Sequence, residues 1–320
     1  MDYKKCSLYG MKSRKRLFHL LGIDDKRYMK QDFVATKINP FLVDGKRLVE
    51  APSEELKEYQ RRILRKLQLL DFPDNIFSGV KGKSYIDNTR YHQASEIVYR
   101  VDLSKFFPNI LRDRVYRFFR DNLDMSPDVA EVLTNFATID LDRKEHSAPK
   151  LQAVNLFMDE KNIRTRNHLA TGSPFSPLLS YLVNRDMFDE LQALADKNDM
   201  LMTAYVDDIV FSSKNHISGV MQKRIRDIIA KHRYKSNKKK CKYYSENSNK
   251  RITGGIITKD KKIVPQNKLL KKSHDGSQEI KKGKFDNSQA HKLHGVLSAI
   301  QMTDKKMPNL TRELHQRLRP

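Results

Sequence analysis

Leu201 to Ser213 reads LMTAYVDDIVFSS: two runs rich in β-branched and apolar residues flank the adjacent carboxylates Asp207 and Asp208. Such runs favour strands. Two strands with so short a polar interruption pair most simply as a β-hairpin whose tight connection is the Asp-Asp pair, although the Asn-Gly signal common in such turns is missing. Neighbouring carboxylates repel, and a pair held between apolar strands also loses hydration. Neither effect helps folding, so the pattern calls for something positive on the pair. By itself the segment also fits a solvated hairpin tip, because Asp is a common turn residue. The rest of the chain decides between the two.

At 320 residues the chain is long enough for a sizeable core, as one large domain or one domain with a smaller appendage. Its 62 Lys and Arg against 39 Asp and Glu give a formal charge of +23, more than solubility needs, which points to a polyanionic partner and to nucleic acid first. Residues 231–284 hold 18 of the basic residues against 4 acidic ones. They are interleaved with Tyr243, Tyr244 and the apolar segments ITGGII and KIVP, as in a folded surface rather than a solvated tail. Cys6 and Cys241 are the only cysteines, which excludes a disulfide framework and a thiol-based zinc site and fits a reducing cytoplasm. The apolar run from Leu17 to Ile23 is short and interrupted, so no membrane association is expected. No P-loop or GxGxxG pattern is present, which argues against an ATPase.

Along the chain, helices are expected from about Met11 to Leu21, from Glu54 to Leu70 with Ser53 as N-cap, from Leu111 to Leu123, from Asp128 to Phe136 and from Leu178 to Ala195. EIVYRVDL, Glu96 to Leu103, reads as a buried strand that carries Asp102 near its end. Gly79 to Tyr91 reads as a glycine-punctuated basic loop, and Asp140 to Asn167 as a loop-rich insertion. A domain boundary falls between about residues 250 and 265. His291 and His294, three apart in an expected C-terminal helix, have no third ligand nearby in sequence, which favours a surface or RNA-facing role over a metal site.

Asp102, Asp207 and Asp208 converge if their strands are neighbours in one sheet. Acidic groups gathered at a sheet end in a strongly basic protein make an oxygen-rich pocket suited to Mg²⁺. Phosphoryl transfer uses such a pocket: two ions roughly 3.5 to 4 Å apart activate an attacking hydroxyl and stabilise the leaving oxygen, while basic side chains hold the triphosphate.

The motif order resembles the reverse transcriptase family. YVDD (Tyr205 to Asp208) is similar to its YxDD catalytic hairpin, and VDLSKFFPNI (Val101 to Ile110) to its first catalytic motif, with Asp102 as the other metal ligand. In that resemblance Phe107 falls on the bulky aromatic that blocks a ribose 2′-hydroxyl. GSPFSPLLS (Gly172 to Ser180) is similar to the motif that shapes the nucleotide pocket, with Thr171 where a glutamine usually precedes Gly172. GKRLVEAPS (Gly45 to Ser53) resembles the fingers motif whose basic residues, here Lys46 and Arg47, meet the incoming triphosphate. SNKKKC (Ser236 to Cys241) resembles the later palm motif whose lysine, here Lys240, lies near the departing pyrophosphate.

Within the family the resemblance narrows to bacterial retron reverse transcriptases. NTRYH (Asn88 to His92) approximates their Asn-Ala-x-x-His motif, with Thr89 for alanine, and Ile252, Thr253 and Gly254 approximate their Val-Thr-Gly. The resemblance covers residues 40 to 265. It implies an α+β right-hand polymerase fold, with fingers and an antiparallel palm sheet packed on helices in 1–264 and a basic, mainly helical C-terminal thumb in 265–320. Two Mg²⁺ ions, with Mn²⁺ as a substitute, are the implied cofactors. A structured noncoding RNA as template and primer, deoxynucleotides, a branched DNA product joined to RNA and a separate effector protein in antiphage defence are the implied partners. Asn88, His92, Ile252, Thr253 and Gly254 are the implied RNA-binding residues. No ribonuclease H domain is expected in the length that follows YVDD. The alternatives are a group II intron-like or diversity-generating reverse transcriptase, or a catalytically silent RNA-binding scaffold on the same fold.

Overall fold

A computed structural model describes residues 1–145, 148–281 and 286–303. The N-terminal part comprises helices α1 (Arg14–Leu21) and α2 (Gln31–Ala35), strands β1 (Ile38–Val43) and β2 (Arg47–Pro52), and helix α3 (Glu54–Leu67). Ser53 caps α3 by accepting from Leu56 N–H, while Glu54 and Glu55 in the first turn and Arg65 and Lys66 in the last complement the helix dipole. Helix α4 (Tyr85–Tyr91) precedes strand β3 (Ile97–Asp102). It corrects the expected basic loop: Ser84 and Asp87 form a reciprocal capping box that starts a helix directly after the glycines.

Helices α5 (Arg112–Arg117) and α6 (Pro127–Ala137), strand β4 (Thr138–Asp140), helix α7 (Ala148–Glu160) and strand β5 (Asn167–Leu169) follow. The expected loop-rich insertion is thus built around α7, whose Leu151, Val154, Phe157 and Met158 recur at helical spacing and are buried. The long helix expected over 178–195 is two, α8 (Ser176–Leu182) and α9 (Arg185–Asp196). Between them Asn184 is buried; its Nδ2 donates to Ser180 O at 2.8 Å and its Oδ1 accepts from Tyr234 O–H at 2.7 Å and from Arg114. A side chain that supplies so many local and long-range bonds ends one helix and starts the next.

Strands β6 (Leu201–Tyr205) and β7 (Asp208–Ser213), helix α10 (Gly219–Lys231) and strand β8 (Lys242–Tyr244) complete the central sheet, which is antiparallel throughout in the order β6-β7-β3-β8. Strands β9 (Lys250–Ile252), β10 (Gly255–Ile257) and β11 (Ile263–Pro265) form a second sheet. Its Ile252 and Ile257 pack on Val98 and Val210 of the central sheet. Two helices, α11 (Asn267–Lys281) and α12 (Asn287–Gln301), end the described chain; residues 304–320 of the expected thumb lie outside the described residues. The architecture is α+β. No helix among the described residues is long and apolar enough to cross a membrane.

Candidate active site

The acidic site is built by register. β3 pairs with β7 so that Asp102 lies directly opposite Asp208. In the same sheet Tyr205 of β6 lies opposite Asp208 of β7, so the two-residue connection of the hairpin is Val206–Asp207. The expected Asp-Asp turn is therefore displaced by one residue: Asp208 is the first residue of β7 and only Asp207 lies in the turn. Val206 takes φ of +58°, the conformation a tight hairpin needs at its first loop position and one a β-branched residue rarely adopts. Such strain persists where surrounding structure imposes it, commonly at functional sites. Here the imposing bonds include Leu103 N–H to Asp207 O at 2.9 Å.

The carboxylates are crowded, with Asp102 buried and Asp207 and Asp208 partly so. Burial pushes Asp207 up to about 6, aided by the charges of Asp208 and Asp102. Asp208 is also raised, first by burial and then by Asp102, while Arg100, Lys240 and Arg251 pull it back. Lys240 Nζ donates to Asp102 Oδ1 at 3.1 Å, so the lysine singled out in SNKKKC does reach the acidic site. Its segment is fixed there by Asn237 N–H, which donates to the backbone oxygen of Asp102 at 2.8 Å.

Asp102 Oδ2 is buried without a hydrogen-bond partner. Among the described residues no three His, Cys, Asp or Glu side chains form a ready-made metal cage as they stand. A partnerless buried carboxylate oxygen beside two carboxylates with raised pKa nevertheless fits a divalent cation, because its attraction offsets both their mutual repulsion and the cost of burying their charge.

Phe107 is half-buried in a single 3-10 turn, Phe107–Asn109, five residues beyond Asp102. Lys46 and Arg47 are exposed at the tip of the β1–β2 hairpin, where Asp44 and Gly45 take positive φ. Thr171 and Gly172 lie against β2: Gly172 N–H donates to Glu50 O at 3.1 Å, and Thr171 Oγ1 accepts from Glu50 N–H at 3.0 Å. A Cβ on Gly172 would come within 2.5 Å of the Glu50 oxygen, which is why a glycine stands there.

NTRYH and ITG meet each other. Asn88 Nδ2 donates to Thr253 Oγ1 at 2.6 Å, and Thr89 Oγ1 donates to Ile252 O at 3.0 Å. His92 Nδ1 lies 2.6 Å from Ser212 Oγ and its Nε2 2.7 Å from Thr203 Oγ1, so it bridges both strands of the acidic hairpin. Burial holds this imidazole down to about 3 and keeps it neutral. Asn88, His92 and Ile252 have no exposed surface, so the expectation that these three side chains are displayed to RNA is corrected: Asn88 holds Thr253 of the half-exposed Thr253–Gly254 turn, Ile252 adjoins it, and His92 holds the acidic hairpin. His291 is exposed on α12.

Sequence reasoning missed Glu50, His168 and Arg100. Glu50 could have been found: in RLVEAP it shares its phase with Leu48 and Pro52, and a carboxylate on the apolar phase of a strand needs an internal partner. His168, on a three-residue strand, gave no periodic signal.

The family model described as Reverse transcriptase (RNA-dependent DNA polymerase) matches residues 30–263. The chain belongs to the reverse transcriptase family. This reverse transcriptase is 23% identical over 259 residues to the retron Ec83 reverse transcriptase of Escherichia coli, covering 79% of this chain and 77% of that one. It is 25% identical over 264 residues to the Escherichia coli retron Ec86 reverse transcriptase, covering 81% and 72%. It is also 25% identical over 284 residues to the Myxococcus xanthus retron Mx162 reverse transcriptase, covering 82% of this chain but 56% of that longer protein. The resemblance to bacterial retron reverse transcriptases is thereby borne out, and with it RNA-directed DNA polymerase activity. The right-hand polymerase fold belongs to the same family assignment.

Proposed function

We propose that this reverse transcriptase is of retron type: it copies part of a structured noncoding RNA, which serves as template and primer, into single-stranded DNA that stays branched from that RNA. The single observation that carries the catalytic part is the pairing of Asp102 with Asp208 across β3 and β7, with Asp207 in the adjoining turn. These three side chains would hold two Mg²⁺ ions, with Mn²⁺ as a substitute. When bound, the ions supply the Lewis acidity that activates the primer hydroxyl and stabilises the leaving oxygen. Lys240, already beside Asp102, balances charge on the departing pyrophosphate. Lys46 and Arg47 hold the triphosphate, Phe107 excludes a ribose 2′-hydroxyl, and Thr171 and Gly172 shape the pocket floor.

In this reading residues 1–264 are fingers and palm and 265–320 the thumb. The Thr253–Gly254 turn faces RNA, with Asn88 and Ile252 fixing it from behind, while His92 braces the acidic hairpin. Basic surface and the thumb grip the RNA by shape and phosphate charge. A cytoplasmic setting and a separate antiphage effector complete the proposal.

The test begins with the protein purified from its native host with its bound nucleic acid, treated separately with RNase and DNase and run on a denaturing gel. A DNA strand that shortens after RNase yet keeps a short RNA stub is expected. RNA alone, with primer extension still active on a generic template, would remove the retron part and leave the polymerase. Asp208→Asn should abolish synthesis in either assay and leave RNA binding within about twofold; near wild-type synthesis would sink the metal role.

A further inference from the structure

Glu50 has no exposed surface, yet it is a carboxylate in a strand away from the three aspartates. Both its oxygens and both its backbone polar groups are directed at one short segment. Oε2 accepts from Thr171 N–H at 3.0 Å and Oε1 from His168 Nε2 at 2.8 Å. The Glu50 N–H donates to Thr171 Oγ1 at 3.0 Å and its carbonyl accepts from Gly172 N–H at 3.1 Å. His168 is equally enclosed and its Nδ1 has no partner, so this imidazole serves Glu50 alone. A buried hydrogen-bonded polar pair stabilises no more than an apolar pair of the same shape. A fold that needed only to join two strands gains nothing by choosing it, whereas several bonds of fixed direction set a geometry.

The segments joined are the ones assigned to the incoming nucleotide. Arg47 and Lys46 lie three and four residues before Glu50, about 10 to 13 Å along the hairpin by strand rise. On the other side, Leu169 N–H donates to Ile110 O at 2.9 Å, directly after the turn that carries Phe107.

We infer that Glu50, held by His168, is a positioning residue for the deoxynucleotide, fixing the basic hairpin that meets the triphosphate against the Thr171–Gly172 floor. The inference rests on the nucleotide-site assignment proposed above. It is independent of the retron reading, because any primed RNA template tests it. The full chain is assayed by primer extension on a generic RNA template with a DNA primer, titrating one deoxynucleotide.

Glu50→Gln should raise KM for the nucleotide about tenfold with kcat within about twofold, the order of one charge-assisted hydrogen bond. Thr171→Val, which removes the acceptor of the Glu50 N–H, should raise KM in the same direction, and Thr171→Ser, which keeps the hydroxyl, should raise it less. A merely structural role would lower the melting temperature and the active fraction and leave KM where it was. If Glu50→Gln does not fold, the Thr171 pair decides. A raised KM in Arg47→Ala with unchanged KM in the Glu50 and Thr171 variants would overturn the inference and keep the hairpin's assignment. Unchanged KM in Arg47→Ala would overturn both.

Discussion

Removing the charge of Asp207 should make the metal-free protein more stable at neutral pH. The Asp207 carboxyl is raised from an ordinary 3.8 to about 6, by burial and by the charges of Asp208 and Asp102. A carboxyl whose folded pKa lies above its unfolded value opposes folding wherever it is ionised: the penalty is full above the folded pKa and fades as pH falls from about 6 towards 4. A displacement of roughly 2 pH units corresponds to roughly 3 kcal/mol. Asp207 is half-exposed, so water screens part of this and about 1 to 3 kcal/mol is expected. For a chain of this length that is about 2 to 4 °C in Tm.

The assay is thermal unfolding of wild type and Asp207→Asn in EDTA at pH 7.5 and pH 5. The variant should melt higher at pH 7.5 and lose about half of its advantage by pH 5. Adding Mg²⁺ should then stabilise wild type more than the variant. His92 also titrates in the unfolded chain, but identically in both proteins, so it cancels in the difference. A variant that melts no higher than wild type at pH 7.5, or whose gain is the same at pH 5, would refute the view of Asp207 as a charge held at a cost for catalysis.

His92, held down to about 3, contributes stability that is full above its unfolded value near 6.5 and is lost as pH falls towards 3. His92→Asn, which disrupts the buried bonds to Ser212 and Thr203, should be less stable than wild type at pH 7.5, and urea titrations should show a smaller further loss at pH 5 because no imidazole titrates. Gly172→Ala should cost about 1 to 3 kcal/mol in the same titrations, because the added methyl meets the Glu50 backbone rather than a movable side chain. Lys240→Ala should slow single-turnover nucleotide incorporation by about a hundredfold with RNA affinity nearly unchanged; an unaltered rate would remove Lys240 from the chemistry. Phe107→Ala should admit ribonucleotides in primer extension, and continued exclusion would place the steric barrier elsewhere.

Local pattern made several parts of this protein legible. The Ser53-capped helix, the strand ending at Asp102 and the hairpin around YVDD all follow from periodicity and capping chemistry that neighbours in sequence supply. The family, too, was carried by short motifs in a fixed order. What sequence could not supply was the register and the buried partners through which distant segments meet. The turn of the acidic hairpin fell one residue early because the β3–β7 register, with Asp102 opposite Asp208, takes Asp208 into the strand. The 178–195 helix broke because Asn184 found partners on Arg114 and Tyr234, far away in the chain. NTRYH and ITG looked like separate nucleic-acid contacts, and only packing turned Asn88, His92 and Ile252 inward to support the acidic hairpin and the Thr253 turn.

Residue type and spacing thus determined which groups could do the chemistry, because charge, branching and capping are properties of the local chain. The tertiary structure decided which of them meet, at what protonation and in whose company: pairing register, burial and buried partners such as Glu50 with His168 arise only when segments more than a hundred residues apart exclude water from one another.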